Sequence, residues 1–138
     1  NRMHNAKING LTTIKVWGTG TPKREFMHVD DLADAVIFLT ENYDEQEIIN
    51  VGTGKDITIK EFATLVKQTV GFKGNLIFDS SKSDGMKRKL LDTTKLTKLG
   101  WRPKINLENG IKSYYEWYKN NFLKISAKCD IVKLAARQ

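Results

Sequence analysis

The sequence predicts an α/β or α+β unit, and three observations carry that prediction. Runs suited to strands, Ile14–Trp17, Glu47–Val51 and Asn75–Phe78, are separated by stretches with helical spacing of apolar residues. A capping box, Thr58 with Glu61 three residues on, opens the middle helix. Glycines stand where helices should stop, at Gly10, Gly71 and Gly100.

In chain order, residues 1–9 read as the end of a helix and Ile14–Trp17 as a strand, with Gly18–Pro22 a loop. Phe26–Val29 is a short extended piece. Asp30 or Asp31 is the expected cap of a helix to about Asn42, whose buried face is Leu32, Ala35, Val36 and Leu39. After the strand Glu47–Val51, Gly52–Gly54 makes a turn. The capping-box helix buries Phe62, Leu65, Val66 and Val70. Asn75–Phe78 is the next strand and Ser80–Lys89 a polar loop. Asp92 caps a short helix through Leu99, and Asn106 caps the last one, with a stripe of Leu107, Ile111, Tyr114, Tyr118 and Phe122.

Composition narrows the classes. With 40% hydrophobic and 28% charged residues, the 138-residue chain fits a soluble globular unit with its own core or half of a larger domain. No apolar run approaches a membrane span, and Asn1–Lys7 lack a signal-peptide core. Met3 is internal, which leads us to expect residues upstream of Asn1. Cys129 is the single cysteine, so neither an internal disulfide nor a cysteine zinc site forms, and a cytoplasmic location fits. His4 and His28 have no company that suggests a metal site.

The net charge is +7, and from Lys73 to Lys104 nine basic residues meet three acidic ones. Such a segment suits a phosphate-bearing partner, although a solvated lysine surface explains most such lysines. Nucleic acid is disfavoured as that partner: no aromatic platform interleaves the basic residues and no helix-turn-helix pattern appears.

Several motifs resemble catalytic signatures without fitting them. Gly18-Thr19-Gly20 and Gly52-Thr53-Gly54 lack the third glycine of a dinucleotide fingerprint, and Pro22 would break the helix that should follow the first. They are expected to be turn glycines. Asp56 stands where a Walker A motif needs serine or threonine. Tyr115 and Lys119 share the spacing of a reductase catalytic pair, yet a packed aromatic stripe with a surface lysine is the better account.

The segment Trp17–Asp31, with Arg24-Glu25-Phe26 followed by His28-Val29-Asp30-Asp31, resembles the extended short-chain dehydrogenase/reductases that act on nucleotide sugars. Ile49–Gly54 is similar to a second segment of that superfamily. The narrower likeness is to the GDP-L-fucose synthase family. Phe78–Asp92, Leu99-Gly100-Trp101 and the aromatic helix Leu107–Phe122 follow in that family's order.

The resemblance covers residues 1–123 and implies the C-terminal, sugar-nucleotide-binding portion of a Rossmann-like α/β enzyme, with 124–138 an extension of unknown role. Such enzymes use NADPH to epimerise and reduce GDP-4-keto-6-deoxy-D-mannose to GDP-L-fucose, and a homodimer is implied for the full length. The family's cofactor loop and catalytic residues would precede Asn1. No catalytic or cofactor-binding residue is therefore assigned here, and the chain alone is expected to hold no NADPH. The implied substrate-binding residues are Arg2, Trp17, Arg24 and Lys89, the cations for the diphosphate and Trp17 as a flat wall for a ring. Asn75 occupies a position where some members carry arginine, so its contact is the weakest of the set. Read without the resemblance, Trp17 could be plain core, Arg24 could pair with Glu25, and Arg88 and Lys89 could be a solvated basic loop. The loop Ser80–Lys89 is expected to order over bound ligand, since only Met86 offers apolar area to hold it.

Overall fold

A computed structural model describes residues 1–122; the 124–138 extension and Cys129 lie outside the described residues. The order is α1 (Arg2–Ile8), β1 (Thr13–Trp17), β2 (Lys23–Glu25), α2 (Val29–Asn42), β3 (Asp56–Thr58), α3 (Ile59–Val70), β4 (Asn75–Asp79), β5 (Arg88–Lys89), α4 (Thr94–Lys98) and α5 (Leu107–Trp117), which runs into a π-helical turn at Tyr118–Phe122. Two small sheets form. β1 and β4 are parallel, from Thr13 beside Asn75 to Trp17 beside Asp79. In the other, β2 is central, antiparallel to β3 and parallel to β5.

The local signals behave as their chemistry requires. Thr58 accepts from the Glu61 amide at 3.1 Å while Glu61 accepts from the Thr58 amide at 3.0 Å, and Gly71 closes α3 at φ +73°. Asn106 caps α5 through the Asn109 amide at 2.9 Å; Asp92, the expected cap of α4, stands one residue before the cap position, which Thr93 takes, although its carboxylate still accepts from the Thr94 amide at 2.9 Å. Two apolar clusters result. Ala6, Ile14, Val70 and Phe72 join α1, β1 and α3, with Tyr115 of α5 against them. Ala35, Leu96 and Trp101 join α2, α4 and the segment after it.

The differences from expectation have physical causes. His28, not Asp30 or Asp31, caps α2: its Nδ1 accepts from the Asp30 amide at 3.2 Å. Asp31 is only 2% exposed and spends its carboxylate on the Lys104 and Ile105 amides, both at 3.0 Å. Asp34 receives the Trp101 indole N–H at 2.8 Å. These anchors turn α2 so that Ala35, Phe38 and Leu39 pack inward while Val29, Leu32, Val36 and Ile37 stay exposed. Leu32 and Val36 are thus not on the buried face.

Glu47–Val51 forms no strand. A strand needs a neighbour for its N–H and C=O groups. Among the described residues none pairs with this run, and Ile48 is 92% exposed. The extended piece expected at Phe26–Val29 forms no strand: the pairing lies just before it, at Lys23–Glu25, and Val29 already begins α2. The Ser80–Lys89 loop ends at Lys87, because Arg88 and Lys89 pair with β2. Of the predicted aromatic stripe, Tyr118 is buried as expected, while Tyr114 is exposed and Tyr115 packs inward in its place.

Candidate functional site

β2 and β5 set the basic residues in order. Their register places Lys23 beside Arg88 and Arg24 beside Lys89. Cα partners on neighbouring strands lie about 5 Å apart and share a face of the pleat. Arg24 and Lys89 therefore stand side by side. Arg88 lies on the other face, where it is ion-paired with the largely covered Asp56. Arg24 donates to the Lys23 carbonyl at 2.7 Å, and among the described residues neither Arg24 nor Lys89 has a carboxylate partner. Two adjacent, uncompensated cations repel each other. That arrangement favours an anion between them.

Glu25 does not neutralise Arg24. Its carboxylate accepts from the Gly54 amide at 2.6 Å, the Thr53 hydroxyl at 3.1 Å and the Leu91 amide at 3.1 Å. A Cβ at Gly52 would lie 2.6 Å from Glu25 Oε1, so this glycine serves close approach. Glu25 ties the Gly52–Gly54 turn to the chain leaving β5, a role its sequence context did not reveal.

Trp17 ends β1 and is 72% exposed, so it is not part of the core the described residues form. The turn after it is bound by Asp84, whose Oδ1 accepts from the Thr19 amide and Oδ2 from the Thr19 hydroxyl, both at 2.6 Å. Sequence reasoning passed over Asp84; the Asp84-Gly85 pair, a turn signal, was its only mark. Gly18 and Gly20, at φ +81° and +78°, are turn glycines, as expected. Arg2 donates to the Lys15 carbonyl of β1 at 2.5 Å. Asn75 is set apart. It lies at the opposite end of the β1–β4 pair from Trp17, about 13 Å away along the strands. Two clefts, of about 250 and 200 Å³, open beside the Gly52–Gly54 turn, and none of these five residues lines them.

The reductase-like pair resolves into structure. Tyr115 shares a hydrogen bond with His4 Nδ1 at 3.0 Å, and Lys119 pairs with Glu116 at 2.7 Å. Burial raises the Tyr115 pKa, the opposite of what a proton-donating catalytic tyrosine needs.

His4 also sits edge-on to Tyr115 and Tyr118. Burial lowers its pKa, helped by Lys7 and Lys119. The neutral ring is thus favoured in the folded state, and unfolding takes up a proton. Stability should fall as pH drops below about 6.5, the ordinary histidine value, and level off below the depressed folded value. Melting curves across pH 4.5–7.5 (a range chosen about that value) check this: His4→Gln should flatten the slope, and parallel curves would refute the assignment. The capped carboxylates Glu61, Asp79 and Asp92, whose pKa values are lowered by hydrogen bonds, act only in a more acidic window.

Residues 1–52 match the NAD dependent epimerase/dehydratase family. The chain is 54% identical over 127 residues to the probable GDP-L-fucose synthase 1 of Oryza sativa subsp. japonica, covering 92% of this chain and 38% of that protein. Among solved structures, a GDP-L-fucose synthetase from Naegleria fowleri bound to NADP superposes at TM-score 0.83 with 28% identity, covering 88% of this chain and 38% of that one. The GDP-mannoheptose C4 reductase MlghC from Campylobacter jejuni, with NADP bound, superposes at 0.75 with 43% identity, covering 86% and 42%. The chain thus spans about two-fifths of the length of the proteins it matches. No helix among the described residues is long and apolar enough to cross a membrane. The expected Rossmann-type relationship stands: residues 1–52 match the NAD dependent epimerase/dehydratase family, and GDP-L-fucose synthases are relatives over most of this chain's length.

Proposed function

We propose that this chain is the C-terminal, GDP-sugar-holding part of a GDP-L-fucose synthase, an NADPH-dependent enzyme that epimerises and reduces GDP-4-keto-6-deoxy-D-mannose to GDP-L-fucose. The observation that carries the reading is the in-register pair Arg24 and Lys89, free of any carboxylate among the described residues and joined by one short connector to the exposed ring of Trp17. A diphosphate supplies the charge the pair lacks, with Arg24 able to bind two phosphate oxygens at once and Lys89 adding a point charge. Trp17 offers a flat wall to a ring. Arg2 flanks the same strand. Asn75 is the weakest member of the set, given its place at the far end.

The open character of this surface fits one wall of a cleft whose other wall belongs to a longer protein. The exposed α2 face and the unpaired run at Glu47–Val51 fit the same account. Redox chemistry, the homodimer and a cytoplasmic setting belong to that longer protein. NADPH would supply hydride there, and no residue of this chain is assigned to hold it. A second reading, reduction of another GDP-ketosugar such as a heptose, draws on the 43% identity to MlghC.

Calorimetric titration of the chain with GDP and ADP at fixed salt, beside an NADPH absorbance assay with the ketosugar nucleotide, tests the proposal. GDP should bind in preference to ADP, and that preference should survive a salt series that would abolish nucleic-acid binding. NADPH should not be consumed. Equal affinity for both nucleotides, or clear turnover by the isolated chain, would overturn the reading.

A further inference from the structure

Two connectors run side by side between the two sheets. Residues 18–22 lead from β1 to β2, and residues 80–87 lead from β4 to β5. Because β1 is parallel to β4 and β2 to β5, the connectors begin and end as neighbours. At one end the Gly18 amide donates to the Asp79 carbonyl at 2.9 Å; at the other the Lys23 amide donates to the Lys87 carbonyl at 2.9 Å. Between those ends the tie is Asp84, which holds Thr19 by both carboxylate oxygens. Gly18 makes room for it, since a Cβ there would overlap the carboxylate.

We propose that Asp84 is a positioning residue for the diphosphate-sugar site, a latch that sets the separation between Trp17 and the cations of β5. The inference rests on the reading of that site given above. Trp17 is fixed to the first connector and Arg88-Lys89 to the second, so what joins the connectors sets the span the ligand must bridge. The second connector has little else to hold it. It is built of serines, glycine and charged residues, and its one large apolar side chain, Met86, is exposed. Without the Asp84 tie, ordering this segment becomes a cost of binding.

A latch and a purely electrostatic role predict opposite signs. A carboxylate near a diphosphate repels it, so removing the charge alone should tighten binding. Loss of a latch should weaken binding instead.

The test is GDP titration of the chain and of Asp84→Ala, Asp84→Asn, Thr19→Val and Arg24→Ala, with hydrogen exchange over 80–87 and melting temperatures. Asp84→Ala should raise the Kd about tenfold, the scale of ordering one further residue. It should also speed exchange over 80–87 before ligand is added. Asp84→Asn should weaken binding less, and Thr19→Val, which keeps the backbone amide, less again; both serve if Asp84→Ala fails to fold. Weak binding by Arg24→Ala with wild-type binding by the Asp84 and Thr19 variants would overturn the latch and leave the site standing. A lowered melting temperature with unchanged Kd would do the same. Indifference of GDP binding to Arg24→Ala, or no binding by the wild type, would sink the site reading itself.

Discussion

Gly20→Ala should lower folding stability by about 2–5 kcal/mol. Two costs add. Gly20 sits at φ +78°, where an L-residue with a Cβ is strained by about 1–2 kcal/mol. Its Cβ would also lie 2.5 and 2.7 Å from atoms of the Phe78 ring and 3.1 Å from Lys60 Cβ. Overpacking of that kind typically costs about 1–3 kcal/mol. Little slack exists to absorb it, because the Lys60 amide donates to the Gly20 carbonyl at 2.9 Å and fixes the turn against the start of α3. Gly10→Ala is the control: its φ is +64° and no atom lies within 4 Å of the added Cβ, so only the backbone cost applies. Urea unfolding should give a lower midpoint at unchanged slope for both, with Gly20→Ala clearly the worse. Equal losses would mean that the Phe78 ring moves aside freely, and the packing argument would fail.

Arg24→Ala should weaken GDP binding by about 1.5–3 kcal/mol, roughly 10- to 150-fold in Kd, the range for hydrogen bonds to charged groups. The structure makes Arg24 available for that role by assigning the neighbouring acids elsewhere: Glu25 holds the Gly54 and Leu91 amides, and Asp56 holds Arg88. Arg24→Lys should recover only part of the loss, since a point charge cannot repeat a two-point grip on phosphate. Lys119→Ala is the counterpart expected to do little, because Lys119 pairs with Glu116 on α5. Calorimetry at one ionic strength decides between them. The reverse ranking would return the Tyr115 and Lys119 pair to candidacy.

What the sequence determined by itself were the features whose chemistry is complete within a few residues. The Thr58–Glu61 capping box, the Asn106 cap, the stop at Gly71 and the strands at Ile14–Trp17 and Asn75–Phe78 all formed where their own residues predict. The family likeness was legible too, because it lay in contiguous runs such as Arg24-Glu25-Phe26 and Phe78–Asp92. Tertiary structure decided whatever depends on a partner distant in the chain. Asp31 was free to cap until the Lys104 and Ile105 amides, more than seventy residues on, claimed its carboxylate. Glu47–Val51 has strand composition but no neighbour among the described residues to complete its hydrogen bonds. Arg88 and Lys89 are adjacent and chemically alike in sequence, yet pairing with β2 turns them to opposite faces. Asp56 neutralises one and the other is left beside Arg24. A strand's alternation is local, but which face meets an acid, a ring or open solvent is fixed only when the sheet is assembled.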